Sequence, residues 1–311
     1  MSTTPSSPPA SAPRSSPSAG GRALVLHGGG SAGNAWEIGV IAGLLEGGLD
    51  VTGADLIVGT SAGSTAAAQI TSASPAELLA AILTAAPPRR ADPAGPGGGR
   101  APMAPAADHM ERTSRIIAAA QDADDMRRRM GAAALELDAA SDGSGPARWR
   151  ATVAARLPSQ RWPDRAVLIT AVDARTGEPV VFDRHSGVGL ADAVAASTSS
   201  GPPYRIGGHR YIDGGYRRNE NADLAAGYAR VLVLSPFGGR SRHPPEWRMQ
   251  LSAQADELRA GGSSVETIFP DESSRRAFGA SMMDPSTRPP AARAGYHQGR
   301  ALAGHLAEFW R

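Results

Sequence analysis

Cysteine and lysine are both missing from this chain of 311 residues, and all 32 of its basic residues are arginine. Without cysteine the protein can have no disulfide framework, thiolate zinc site or cysteine nucleophile. Without lysine it can have no Walker-A phosphate loop, Schiff-base lysine or lysine general base. The sequence also has no run of about 18 apolar residues, so we expect no membrane-spanning helix.

An excess of charge is missing as well, because 32 basic residues face 30 acidic ones and the net charge is +2. We therefore predict no nucleic-acid partner, and the short arginine run at residues 127–129 is predicted to be a solvated helix face. Residues 1–21 are rich in Ser, Pro and Ala and lack the apolar core of a signal peptide. This composition predicts a disordered arm on a cytoplasmic protein.

Two units of strand, glycine loop and helix follow the arm. Residues 23–26 are all apolar, which is typical of a strand buried on both faces, and the glycine-rich residues 28–33 and a helical apolar pattern come next. Residues 56–58 repeat the strand and lead through residues 59–63 into a helix of small side chains. This alternation predicts an α/β fold with a mainly parallel central sheet.

The rest of the chain continues the same architecture as one domain over residues 22–311. Residues 87–160 are predicted to be a variable loop and an α-helical insert. Further strands are predicted at residues 166–170, 180–182, 204–206, 211–212 and 231–234, and further helices at 74–86, 108–137, 147–157, 190–196, 246–260 and 293–309.

The first glycine loop matches the dinucleotide fingerprint through Gly28, Gly30 and Gly33. A dinucleotide site also requires an acidic residue at the end of the second strand, where it holds the ribose. Asp50 and Asp55 both precede that strand. The pattern therefore argues against dinucleotide binding.

The second glycine loop has the form of a nucleophile elbow, with Ser61 between Gly59 and Gly63. The sharp turn from strand to helix needs small neighbours and forces the serine outward, above a helix end that favours negative charge. A serine nucleophile also needs donors for the oxyanion of its tetrahedral intermediate. The backbone N–H groups of Gly28, Gly29 and Gly30 are candidates, since both loops lie at the carboxyl edge of neighbouring parallel strands.

Ser61 needs a base, and the seven histidines give no clear triad partner. Outside the histidines, the candidate base is Asp213, which is followed by Gly214 and Gly215. Two glycines let a strand end approach another loop closely. A free aspartic acid with a pKa near 3.9 is a poor base, but in a partly dehydrated site it can accept the serine proton. An ordinary Asp-Gly hairpin turn is the alternative interpretation of this segment.

The three motifs in this order and spacing resemble the patatin-like phospholipases. Residues 171–178 and the segment Asn221-Ala222-Asp223-Leu224 also look like bacterial members, and the resemblance covers roughly residues 22–236. It implies a three-layer α/β/α sandwich that hydrolyses acyl esters of lipids through a Ser–Asp dyad without histidine. By position, Ser61 is then the nucleophile, Asp213 the base and Gly28 to Gly30 the oxyanion hole.

Two departures from the family pattern stand out. The family's glycine-rich loop usually carries Arg or Lys where this chain has Ala32, which removes a cation beside the loop. The segment before Asp213 usually contains a small-residue Ala-x-Pro step, whereas residues 197–203 are shorter and more polar. Both departures bear on how strongly a phospholipid is bound and how active the dyad is.

Two other functions stay open at this stage. His27 with the following glycines imitates the oxyanion motif of esterases, so an α/β-hydrolase with a Ser–His–Asp triad is the nearest rival. The short distance from this motif to Ser61 counts against it, and so does the helical pattern around the late histidines His297 and His305. The second open function is that of a scaffold protein, which keeps the fold and has lost the chemistry. No cofactor or metal is predicted. The predicted substrate is a lipid or another acyl ester. A further hypothesis is peripheral membrane contact through arginines of the insert.

Overall fold

A computed structural model describes residues 20–85 and 106–311, and in these residues eight strands form one sheet. The strands are β1 (Arg22–Leu26), β2 (Leu56–Gly59), β3 (Ala166–Asp173), β4 (Pro179–Phe182), β5 (Tyr204–Ile206), β6 (His209–Asp213), β7 (Arg230–Leu234) and β8 (Ser264–Ile268). The helices are α1 (Gly30–Glu46), α2 (Ala62–Ile70), α3 (Pro75–Thr84), α4 (Ala106–Ala119), α5 (Ala123–Ala139), α6 (Gly145–Ala154), α7 (Leu190–Ser197), α8 (Leu251–Ala260), α9 (Glu272–Ala277) and α10 (Arg288–Trp310).

The sheet has the strand order β5-β6-β3-β2-β1-β7-β8, with β4 paired to β3. Strands β3, β2, β1, β7 and β8 are parallel, while β4, β5 and β6 join as antiparallel pairs. The predicted mainly parallel sheet is therefore confirmed. Strand β8 was not predicted, because its polar Ser264, Glu266 and Thr267 break the apolar run that marks the buried strands.

Helices cover both faces of the sheet. Helix α1 is buried along most of its length and packs against α10 through glycines. The helices are so close that a Cβ at Gly39 would lie 2.1 Å from the Ala292 carbonyl oxygen. This close approach lets the C-terminal helix bury Trp310 and Leu306 in the main core. The opposite face packs against α8 and the short helix Ala222–Ala225. The fold is thus the predicted three-layer α/β sandwich.

The helical insert differs in detail from the prediction. The single helix expected over residues 108–137 is two helices, because Asp122 adopts an extended conformation and caps α5 by accepting a hydrogen bond from Asp125 N at 2.7 Å. The predicted solvated arginine face is wrong for Arg127, which is buried and donates to the Gly177 carbonyl at 3.0 Å. A polar backbone acceptor inside the insert–sheet contact draws that side chain inward.

Several boundaries also shift. The helix expected over residues 246–260 begins at Leu251 after the short helix Pro245–Trp247, and the helix expected over residues 293–309 spans Arg288–Trp310. The arm over residues 1–21, apart from its last two residues, and the loop up to residue 105 lie outside the described residues. Within the described ranges, no helix has the length and apolar character needed to cross a membrane.

Candidate active site

Ser61 stands at the turn between β2 and α2 in a strained conformation. Its φ of 51° and ψ of −120° lie in a backbone region where residues other than glycine are rarely found. The flanking glycines allow the turn: a Cβ at Gly59 would lie 2.6 Å from Ser64 Cα, and one at Gly63 would lie 2.2 Å from the Leu26 carbonyl oxygen. The local sequence therefore produces the elbow geometry that the motif predicts.

The side chains of Ser61 and Asp213 are joined by a hydrogen bond. Ser61 Oγ donates to Asp213 Oδ2 over 2.7 Å, and the second carboxylate oxygen accepts from Gly215 N at 2.8 Å. Asp213 is only 8 % exposed, so the pair lies in a largely dehydrated site. Both carboxylate oxygens are thus held in place, one facing the serine.

Sheet pairing brings the aspartate to the elbow. Strand β6 runs antiparallel to β3 with Asp213 opposite Ala171, two residues beyond the Ile169–Gly59 pairing of β3 with β2. The next residue, Gly214, passes so close to β3 that a Cβ there would lie 2.2 Å from the Thr170 carbonyl oxygen. The predicted Asp-Gly-Gly segment is therefore both a hairpin end and the neighbour of Ser61.

Burial changes the acid–base character of Asp213. Desolvation raises the pKa of its carboxyl to about 6, against the lowering effects of the Gly215 N–H and the Ser61 hydroxyl. A free aspartic acid has a pKa near 3.9. Asp213 is therefore a stronger base than an exposed aspartate, and a pKa of about 6 lets it take up and release a proton near neutral pH.

The Asn221 side chain ties the loops of this site together. Its Nδ2 donates to Thr60 Oγ1 at 2.9 Å, to Thr170 Oγ1 at 3.2 Å and to the Gly214 carbonyl at 3.0 Å. The residue is fully buried and has a left-handed φ of 58°. Asn221 thus links the residue before the serine to the residue after the aspartate. Its place in the family-like segment was the only signal of this in the sequence.

The first glycine loop lies directly against Ser61. A Cβ built on Gly28 would lie 3.0 Å from Ser61 Cβ and 3.5 Å from its Oγ. Gly30, at φ +60°, starts α1, and the Gly33 N–H closes the first turn on the Gly29 carbonyl at 2.8 Å. Among the described residues, none accepts a hydrogen bond from the N–H groups of Gly28, Gly29 or Gly30. These three N–H groups thus lie unpaired, within the described residues, in a loop that contacts Ser61 through Gly28.

No histidine hydrogen-bonds to Ser61 or Asp213 in the described part of the chain. His27 is buried with its ring against Phe237, 5.6 Å between centroids, and burial lowers the pKa of its imidazole to about 3. His297 and His305 are exposed on α10. The geometry around the serine therefore offers a carboxylate rather than an imidazole.

The two departures noted in the sequence have structural counterparts. Although position 32 is alanine, Arg288 of α10 brings its guanidinium to the same turn and donates to the Ser31 carbonyl at 3.2 Å and to Asn34 Oδ1 at 3.1 Å. In the polar segment, Ser197 Oγ accepts from Ser61 N, and the Ser199 carbonyl accepts from Asp213 N, both at 2.9 Å. The segment thus holds both members of the pair in place.

The sequence model of the patatin-like phospholipase family matches residues 24–226, and a search of curated proteins gave no match. Solved structures that match include VipD from Legionella pneumophila, at 15% identity and a TM-score of 0.41, over 92% of this chain and 67% of that one. The type III effector protein ExoU matches at 15% identity and a TM-score of 0.41, over 95% of this chain and 54% of its own. With a family match over residues 24–226 and a sheet flanked by helices, this chain belongs to the patatin-like phospholipase family.

Proposed function

We propose that the protein is a serine hydrolase of lipid acyl esters, with Ser61 as nucleophile and Asp213 as base. The observation that carries this proposal is the 2.7 Å hydrogen bond from Ser61 Oγ to a buried carboxylate. A serine hydroxyl is a weak nucleophile unless a positioned base takes its proton as attack proceeds. Family membership supports lipid esters as the substrate class.

In the acylation step, Ser61 Oγ attacks the ester carbonyl carbon and its proton passes to Asp213 Oδ2. The carbonyl oxygen becomes an oxyanion, which accepts hydrogen bonds from the backbone N–H groups of Gly28, Gly29 and Gly30. When the tetrahedral intermediate collapses, the bond to the alcohol breaks. Asp213 returns the proton to the leaving oxygen, and the acyl group stays on Ser61.

In the deacylation step, water attacks the acyl-serine carbonyl and gives a proton to Asp213. The second tetrahedral intermediate uses the same N–H donors, and its collapse releases the fatty acid while the proton returns to Ser61. Atoms balance as ester plus water giving acid plus alcohol. Gly59, Gly63 and Gly214 serve this chemistry by allowing close backbone approaches around the pair. A Cβ at Gly33 would crowd the Pro236 side chain, and one at Gly215 would crowd the Asp213 carboxylate.

The proposal also includes reversible contact with a membrane, since the substrate of a lipid hydrolase is held in a lipid interface. Nucleic acid has no part in it. The reaction as written needs no cofactor or metal, because a carboxylate, a hydroxyl and backbone donors supply every proton transfer and charge contact.

The first test is labelling with a fluorophosphonate probe that reacts with activated serines. We expect wild type to label, and expect Ser61→Ala and Asp213→Asn to lose labelling while circular dichroism shows an intact fold. Exposed His297→Ala and His305→Ala serve as matched controls and should label like wild type. A loss of labelling in a histidine variant, with Asp213→Asn unaffected, would instead assign a Ser–His–Asp triad. Absence of labelling in folded wild type would favour the scaffold function.

The second test identifies the ester. Phosphatidylcholine, lysophosphatidylcholine, a monoacylglycerol and a short p-nitrophenyl ester are offered to wild type and to Ser61→Ala. Release of fatty acid from at least one lipid by wild type alone is the expected result. Turnover of the short ester without any lipid would contradict the lipid substrate class while leaving the dyad in place.

A further inference from the structure

The large apolar side chains that are exposed in the described part of the chain number four. They are Met110, Phe237, Phe269 and Met283, with exposed fractions of 50%, 38%, 42% and 58%. Single exposed apolar residues are common on protein surfaces and need no explanation. These four are different because each is connected by a contact either to the first glycine loop or to residues 237–243, which follow the loop's neighbour Pro236.

Phe237 and Met283 flank the glycine loop itself. Pro236, the neighbour of Phe237, packs so closely on the loop that a Cβ at Gly29 would lie 2.7 Å from Pro236 Cβ. On the other side, a Cβ at Gly30 would lie 2.6 Å from Met283 Sδ. The Phe237 ring also lies 5.6 Å, centroid to centroid, from that of His27, the residue before Gly28, so Phe237 and Met283 both border the glycine loop.

Phe269 and Met110 contact residues 237–243 instead. A Cβ at Gly239 would lie 3.2 Å from the ring of Phe269, and Arg242 donates to the Met110 carbonyl at 3.4 Å. Residues 237–243 thus run from the glycine loop to helix α4 of the insert. We call the surface formed by Met110, Phe237, Arg240, Arg242, Phe269 and Met283 the rim.

Two arginines give the rim positive charge, whereas Glu111 and Glu272, which lie next to it, are paired with Arg115 and Arg276. Arg240 and Arg242 are exposed, and neither pairs with a carboxylate among the described residues. Arg240 donates to the Phe237 carbonyl at 3.0 Å, and Arg242 donates to Ser114 Oγ at 3.2 Å. Both guanidinium groups therefore keep their full charge beside apolar side chains, with hydrogen-bond capacity left for an anion.

We propose that the rim docks on an anionic lipid surface and presents the mouth of the Ser61–Asp213 site to that surface. Apolar side chains that enter the headgroup region, next to arginines that pair with anionic headgroups, are the combination by which peripheral proteins bind membranes. The proposal rests on the proposed function, because it takes the substrate to be a lipid. It places the contact at the rim, of which the insert supplies only Met110.

The test measures co-sedimentation with vesicles, using the full chain as Ser61→Ala so that the lipid is not consumed. One set of vesicles is pure phosphatidylcholine, and the other is equal parts phosphatidylcholine and phosphatidylglycerol, both at physiological salt. We expect binding to the anionic vesicles to be at least tenfold tighter, and to weaken further as salt is added.

Rim variants locate the contact. The double variant with Arg240→Gln and Arg242→Gln should bind the anionic vesicles about 25-fold more weakly, which is about fivefold per arginine. Met110→Gln with Phe269→Gln should weaken it by at least tenfold. The matched control is Arg161→Gln with Arg230→Gln, which removes the same charge at the opposite edge of the parallel strands and should bind like the parent. Thermal melts confirm that every variant is folded.

Equal binding by the rim and control variants, or no binding to anionic vesicles, would overturn the proposal. So would a dimer in light scattering that Met110→Gln with Phe269→Gln abolishes, since the rim would then bind a second copy of the chain. Fluorophosphonate labelling of wild type without vesicles reports on the proposed function separately. A protein that labels but does not bind vesicles fails the rim proposal and the membrane contact, and leaves the Ser61–Asp213 chemistry in place.

Discussion

Ser61 Oγ donates a 2.7 Å hydrogen bond to Asp213 Oδ2, although 152 residues separate the two in the chain. The serine is held by a strained elbow after β2, and the aspartate by the end of β6. Each position depends on different strands, and β3 is the strand that joins them. The chemistry that we propose depends on that alignment, and the following predictions test its parts.

The first prediction concerns pH. Hydrolysis should need Asp213 ionised, and its pKa is raised to about 6 by burial. We therefore expect kcat/KM to fall about tenfold per pH unit below pH 6 and to be flat above it. A pH-stat assay on a soluble ester measures this profile. A rate that stays constant down to about pH 4 would contradict the raised pKa of Asp213, because an aspartate with an unshifted pKa stays ionised to that pH.

The second prediction concerns stability. A raised pKa means that the fold favours protonated Asp213, so its contribution is present below the unfolded pKa near 3.9 and is lost as pH rises through about 6. Asp213→Asn removes this penalty and should stabilise the protein by about 3 kcal/mol at pH 8. Thermal or urea unfolding of wild type and of the variant at pH 8 and near pH 4 measures this difference. Near pH 4 the variant should be as stable as wild type. An equal gain in the free energy of unfolding at pH 8 and near pH 4 would show that the raised pKa of Asp213 is not its cause.

The third prediction concerns the glycine loop. Gly28→Ala would place a methyl group 3.0 Å from Ser61 Cβ and 3.5 Å from its Oγ, where a bound ester carbonyl must sit. We expect kcat/KM to fall by about 10²-fold or more, with the fold retained. Gly208→Ala is the matched control, since no atom lies within 4 Å of a Cβ there. Similar rates in both variants would remove Gly28 from the oxyanion site.

The fourth prediction concerns Asn221 as a positioning residue. Asn221→Gly keeps the left-handed backbone but removes the amide that ties Thr60 to Gly214. We expect kcat to fall by about tenfold to 10²-fold while KM changes little, because alignment of the pair is lost rather than substrate binding.

Asn221→Ala separates the side chain from the backbone. It removes the same amide but leaves a Cβ at a φ of 58°, so it should lose about a further 1 kcal/mol of stability at the same kcat. Unfolding and steady-state kinetics on both variants decide this. If kcat is retained in Asn221→Gly, the residue serves the fold alone.

Local rules account for what could be predicted. The strands at residues 23–26, 56–58 and 231–234 are apolar runs, and buried parallel strands have that composition wherever they occur. The elbow around Ser61 was predictable because a turn this tight accepts only small neighbours. Strand β8 and the break at Asp122 were missed, since an edge strand is half polar and a helix cap is a single-residue signal.

The sequence by itself determined the parallel core, the two glycine loops and the serine at the elbow, because backbone sterics and apolar runs act over a few residues. The tertiary structure alone decided that Asp213 meets Ser61, that burial raises its pKa, and that Arg288 lies beside the turn at Ala32. The rim is also a tertiary feature. These depend on strand register and helix packing between distant segments, which no local pattern encodes.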